Sequence, residues 1–158
     1  MPFAIRNAAE YRRKVEEDLA DLLTEIDNSR FAINAVTSAY HLHDWLWSHV
    51  LKQCKPAILD GEIIKTKNDF AEWLKNRCPH FTLMRDLTNG SKHAYPIEAK
   101  TDKIEGYGVG PYGVGPYGVP YLLIDLGANE GNNRYLVASD MIRAASTYMT
   151  QLSKSLGA

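Results

Sequence analysis

Asp86, Asn89 and His93 recur at intervals of three and four residues within the stretch Phe81–Tyr95. In a helix, successive residues turn by about 100°, so these three share one side, with Arg85 and Lys92 beside them. An acid, an amide, an imidazole and two cations on one surface suit the positioning of a phosphate and the transfer of a proton. Phe81, Met84, Leu87 and Ser91 form an apolar stripe on the other side. The same pattern therefore also describes the solvated face of an amphipathic helix. A second pair, His41 and Asp44, lies three residues apart on an earlier helical stretch, on a polar face with Asn34, Thr37 and Ser48. A carboxylate that orients an imidazole serves acid–base catalysis, and it also occurs as a surface pair of little energetic value. The catalytic candidates are Arg85, Asp86, Asn89 and His93. The substrate-binding candidates are Lys92, His41 and Asp44.

Apolar periodicity predicts the elements that position these residues. Tyr11, Val15, Leu19, Leu22, Leu23 and Ile26 mark a first helix over Ala8–Asn28, with Asn28-Ser29 ending it or capping the next. Arg30–Gln53 reads as the second and most buried helix. Its apolar face is Ala35, Val36, Ala39, Leu42, Leu46, Trp47 and Val50, with His43 in the middle as a hydrogen-bonded core histidine. Lys52–Lys67 reads as a connection broken by Pro56 and Gly61. Thr66 or Asn68 caps a third helix, Asp69–Cys78, with Phe70, Trp73 and Leu74 inward. Pro79 stops that helix, and the candidate stretch follows as a fourth, closed by Pro96.

Tyr107-Gly-Val-Gly-Pro111 is then repeated as Tyr112-Gly-Val-Gly-Pro116 and, imperfectly, as Tyr117-Gly-Val-Pro120. Glycine and proline at these positions disfavour both helix and central strand. The segment at 106–120 reads as a surface loop, or as a tyrosine-bearing arm that packs on a partner subunit or covers a ligand. Tyr121–Asp125 and Arg134–Val137, joined by a Gly/Asn-rich loop, predict a hairpin across 121–137. Ser139 caps a last helix to about Leu156, which packs back on the first two. The expected fold is mainly α: an up-and-down bundle of about five helices with a small β-hairpin before the last, forming one domain over 1–158.

Composition narrows the function classes. The 158 residues suffice for one domain with a real core. A net charge of −1 offers no global basic field for nucleic acid. No apolar run reaches the length of a membrane span, and the first residues lack a signal-peptide pattern, so a cytoplasmic protein is expected. Cys54 and Cys78 read as free thiols; a metal site from His49, Cys54, Cys78 and His80 matches no close-paired zinc spacing. The glycine-rich segment lacks the Lys-Ser/Thr of a phosphate-cradling loop, and no Gly-x-Ser-x-Gly elbow occurs.

The spacing Asp86-x-x-Asn89-x-x-Lys92-His93, together with Ala39-x-His41-x-x-Asp44-Trp45, resembles a group of small bacterial and phage helical proteins of uncharacterised chemistry. More distantly, a helical bundle with Arg85, the following Asp86 and a later His93 resembles the HEPN superfamily, with seven residues between Arg85 and His93, more than its usual spacing. That resemblance implies a metal-free ribonuclease of a toxin or phage-defence system, acting across a dimer. His93 would then be the acid or base at the 2′-hydroxyl, and Arg85 would stabilise the phosphorane. Asp86 and Asn89 would hold the histidine and substrate, and Lys92 would attract phosphate.

Three readings stand beside one another. The first is a binding or assembly module in which His41, Asp44, Asp86 and His93 form a polar network that fixes helix packing. The second is the HEPN-like nuclease, with RNA as partner. The third is a metal-dependent hydrolase with His41, Asp44, Asp86 and His93 around a divalent ion and Asn89 behind them. The first is the leading expectation, and it implies a homo-oligomer without metal or cofactor.

Overall fold

Helix α1, Ala8–Thr24, and helix α2, Ser29–His49, form an antiparallel pair. Asn7 caps α1 by accepting from the Glu10 N–H, and Asn28 caps α2 by accepting from the Phe31 N–H. Because Asn28 serves the second helix, the first ends four residues before the predicted boundary. Ala32, Ala35, Ser38 and Ala39 are buried along α2, and these small side chains let neighbouring backbones come close. Leu42 and Leu46 are fully buried on the same helix. Each such leucine contributes about 2 kcal/mol by leaving water.

The chain turns through a short 3-10 segment, Leu51–Gln53, and then forms a hairpin of strands β1, Ala57–Leu59, and β2, Glu62–Ile64. Sequence reading treats this region as an irregular connection. The signal for the hairpin is Asp60-Gly61, whose positive φ angles of 48° and 80° make the two-residue turn that suits twisted strands. Helix α3, Lys67–Arg77, begins with a reciprocal capping box between Thr66 and Asp69 and buries Phe70, Trp73 and Leu74. Helix α4, Phe81–His93, follows after Cys78-Pro79-His80.

Strands β3, Lys100–Ile104, β4, Tyr121–Asp125, and β5, Tyr135–Val137, form an antiparallel sheet in that order. The predicted hairpin is β4–β5. The edge strand β3 is an addition, paired with β4 from Lys100↔Asp125 to Ile104↔Tyr121. Helix α5, Ala138–Ser155, runs back along α1 and α2. It is buried as extensively as α2, through Met141, Ile142, Ala145, Ser146, Met149 and Ser153. Ser139 lies buried inside the first turn rather than capping it; β5 runs directly into the helix after Val137, without a side-chain cap. The whole is an up-and-down helical bundle with its small β element before the last helix. This computed structural model describes residues 4–93, 100–105 and 110–158, with side chains of α4 as far as Gly90.

Both faces of β4 are covered, by different means. Leu122 and Ile124 join the main helical core, whereas Tyr121 and Leu123 join a second cluster with Ile104 and Val137. The described part of the glycine repeat supplies the cover for that second face. Val114 packs on the cluster, and the Tyr121 hydroxyl donates to the Val114 carbonyl at 2.9 Å. Gly110 and Gly115 occupy the same position in successive repeats. A Cβ on either would lie 2.4 Å from an atom of the Tyr121 side chain. Gly113 and Gly118 are also equivalent, and both turn the chain at positive φ, 74° and 79°. The five-residue period therefore repeats contacts, not only letters.

Gly113 and Gly115 have nearly equal φ, +74° and +80°, but only Gly115 sits over a ring. Gly113→Ala should cost about 1 kcal/mol for the left-handed backbone. Gly115→Ala should cost about 2 kcal/mol more, because Tyr121 must move. Urea unfolding of the two variants checks this, and equal losses would mean that the ring contact contributes nothing.

Candidate functional site

Asp44 is the hub of the polar residues on α2. Its Oδ2 lies 2.9 Å from His41 Nδ1, and its Oδ1 lies 3.4 Å from His43 Nε2. Lys67, at the start of α3, places its ammonium on the same Oδ1. Burial alone raises the Asp44 carboxyl. The hydrogen bonds from His41 and Lys67, with the nearby His43, outweigh that and hold it well below the usual carboxylate range. A charge left half-buried without those partners would be costly, so the network joins α2 to α3 electrostatically.

His43 is a core residue, 3 % exposed, with its Nδ1 on the Tyr40 carbonyl. A carbonyl only accepts, so the proton sits on Nδ1. Burial pushes the imidazole below its ordinary value, against the hydrogen bond to Tyr40 and the charge of Asp44. Phe81, the first residue of α4, sets its ring 5.4 Å from His43 and 5.5 Å from Tyr40. The start of α4 thus closes over the middle of α2.

The candidates on α4 sit apart from this hub. Arg85 Nε donates to Asp86 Oδ1 at 3.1 Å, and both side chains are close to half exposed. Adjacent exposed ions of this kind contribute little to stability. Among the described residues no hydrogen bond or ion pair links Arg85 or Asp86 to His41 or Asp44. The Tyr40 hydroxyl is nevertheless near enough to feel both sides. Burial and Asp44 raise it, while Arg85 and Lys67 oppose the rise. Asn89 is half-buried one turn beyond Asp86. The side chains of Lys92 and His93 lie outside the described residues. The helical rise places the backbones of Arg85 and His93 about 12 Å apart along the axis. The buried stripe of α4 is Phe81, Met84 and Thr88, with Leu87 only half-buried, so Thr88 takes a place predicted for an apolar neighbour.

The metal site drawn from His41, Asp44, Asp86 and His93 includes a side chain, that of His93, outside the described residues. Among the described residues no three His, Cys, Asp or Glu side chains are grouped to hold an ion. Cys54 is exposed, whereas Cys78 is buried and its thiol is pushed up to about 12 by burial, so His49, Cys54, Cys78 and His80 are not a ligand set. Sequence reasoning missed Lys67, whose pairing with Asp44 depends on how α3 docks. It also missed two recesses. One, of about 400 Å³, is lined mainly by Ala32, Ile33, Val36, Leu122, Ile124 and Ile142, with Lys103 and Asp102 at its rim. The other lies between the end of α2 and the β1–β2 hairpin.

Asp44 and His43 both release protons more readily in the folded chain. Their contribution to stability is full above the ordinary values, 3.8 and 6.5, and is lost as pH falls through the lowered folded ones. Unfolding free energy measured by urea should therefore decline from neutral toward acid pH. Asp44→Asn should be less stable at pH 7, and its difference from the wild type should vanish in strong acid. A difference that stays constant with pH would remove Asp44 from this role.

Compared with protein-family models, curated proteins and solved structures, the chain gives no match.

Proposed function

We propose that the protein is a binding and assembly module that forms a homo-oligomer through its tyrosine arm, residues 110–119. The observation that carries this reading is Tyr112, which is fully exposed on a backbone pinned from beneath by Tyr121. Tyr117, the equivalent residue of the next repeat, is 83 % exposed, and Val119 beside it is 46 % exposed. Aromatic side chains displayed on an ordered backbone lose little further freedom on binding and bury a large amphipathic surface. The repeat spaces two such side chains at the same position of successive units, which suits a repeated contact.

The hub on α2 supports the same reading. Asp44 has its carboxylate taken up by His41 and Lys67, and Arg85 is engaged by Asp86. The Lys67 contact joins α2 to α3, while the Arg85–Asp86 contact lies within α4.

Tyr112→Ser with Tyr117→Ser removes both rings without touching the Tyr121 anchor. Wild-type protein should sediment as an oligomer, and the double variant should shift to monomer with an unchanged helical circular-dichroism spectrum. A wild type that stays monomeric across micromolar to millimolar concentration overturns homotypic assembly.

A further inference from the structure

The recess at the end of α2 has a composition that the polar hub and the arm do not share. Its volume is about 450 Å³, within the range of small-ligand pockets. Trp47, half-buried on the last turn of α2, and the buried Leu51 and Ile64 form its apolar wall. Lys52, Lys55 and Lys65 form its rim and are exposed. The fold brings these lysines together from separated positions. The 3-10 turn carries Lys52, and the Ala57↔Ile64 register returns Lys65 beside the segment that holds Lys55 and Pro56.

Their charge is not taken up in ion pairs, although that of Lys65 helps to lower the Asp69 carboxyl. The hairpin acids, Asp60 and Glu62, are both taken by Arg77 of α3, which lies over the Trp73 ring. Asp69 Oδ2 accepts from the backbone N–H groups of Lys65 and Thr66. Lys67 is on Asp44. Among the described residues no ion pair forms with the ammonium of Lys52, Lys55 or Lys65. Trp47 is available in the same way: Trp45 stacks on Tyr11 and His49, whereas no described ring stacks on Trp47. A chain of net charge −1 therefore keeps, among its described residues, three cations without an ion pair at the rim of one indole-walled recess.

We infer that this recess is a nucleotide-binding site, in which a base lies against Trp47 and a phosphate is held by Lys52, Lys55 and Lys65. A planar ring on one side and an anion on the other is the ligand that an indole wall and a lysine rim fit together. Base–aromatic stacking carries no sequence preference, and lysines hold phosphate as point charges. A free mononucleotide and one nucleotide of a single strand share this chemistry.

The test titrates the full chain with adenosine 5′-monophosphate, with a short single-stranded oligoadenylate RNA and with inorganic phosphate, following tryptophan fluorescence and heat. Saturable quenching by the monophosphate or by the oligonucleotide is expected, weakening as salt rises. Tighter binding of the oligonucleotide than of the monophosphate identifies a strand as the source, and equal binding identifies the free nucleotide. Lys52→Ala/Lys55→Ala/Lys65→Ala, all exposed positions, should weaken binding by about tenfold or more without changing thermal unfolding. Trp47→Phe should keep binding but lose most of the quench, and Trp47→Leu should weaken binding by about tenfold. No saturable binding of either nucleotide form, phosphate binding as tightly as the monophosphate, or affinity unchanged in the triple lysine variant each overturns the assignment. The oligomer measurement on the arm is independent of all three outcomes.

Discussion

Helix α2 is touched by every other helix of the bundle, and that confinement governs the rest of the molecule. A helix covered on several sides has few routes by which its polar groups reach water. Asp44 must then find partners, and it finds the His41 imidazole along its own helix and the Lys67 ammonium at the start of α3. His43 must find an acceptor, and it takes the Tyr40 carbonyl one turn back. Small residues on the same helix permit the close approach of α1 and α5, while Phe81 fills the space over Tyr40 and His43. The pattern of polar residues on α2 is thus a consequence of packing first. Any chemistry at His41 would be an addition to that role.

The small sheet solves a different problem. β4 is apolar on both faces, yet only one face meets the helices. An open apolar face on a short sheet would invite association, and the glycine repeat covers it at close range because two of its glycines carry no Cβ. The cost of that cover is that Tyr112 and Tyr117 are left exposed. A segment that protects one surface therefore creates another, and this coupling links the fold to the proposed assembly.

Much of this was legible in the residues. The five helices, the Asn28 and Thr66 caps, the β4–β5 pairing and the core position of His43 follow from periodicity and local hydrogen bonding, which act over four or five residues. The His41–Asp44 pair was equally accessible, because i and i+3 on a helix are neighbours in any fold. The β1–β2 hairpin was legible in principle, through Asp60-Gly61 between two apolar triplets, but Pro56 and the brevity of the strands masked it. Strand β3 was not, since Lys100-Thr-Asp-Lys has no apolar alternation and becomes a strand only by pairing with β4.

The sequence by itself determined the local order of this protein: which segments are helical, where they stop, which faces are apolar and which neighbours on one helix touch. These properties depend on backbone propensity and on contacts a few residues apart. Tertiary structure alone decided that Lys67 reaches Asp44, that Arg77 neutralises the hairpin acids, that three lysines surround Trp47 and that Tyr121 lies under the glycine repeat. Each of these joins residues on different elements, and no local rule sets the docking of one element on another. That docking comes from the packing of the whole core, in which the helices compete for the same apolar surface.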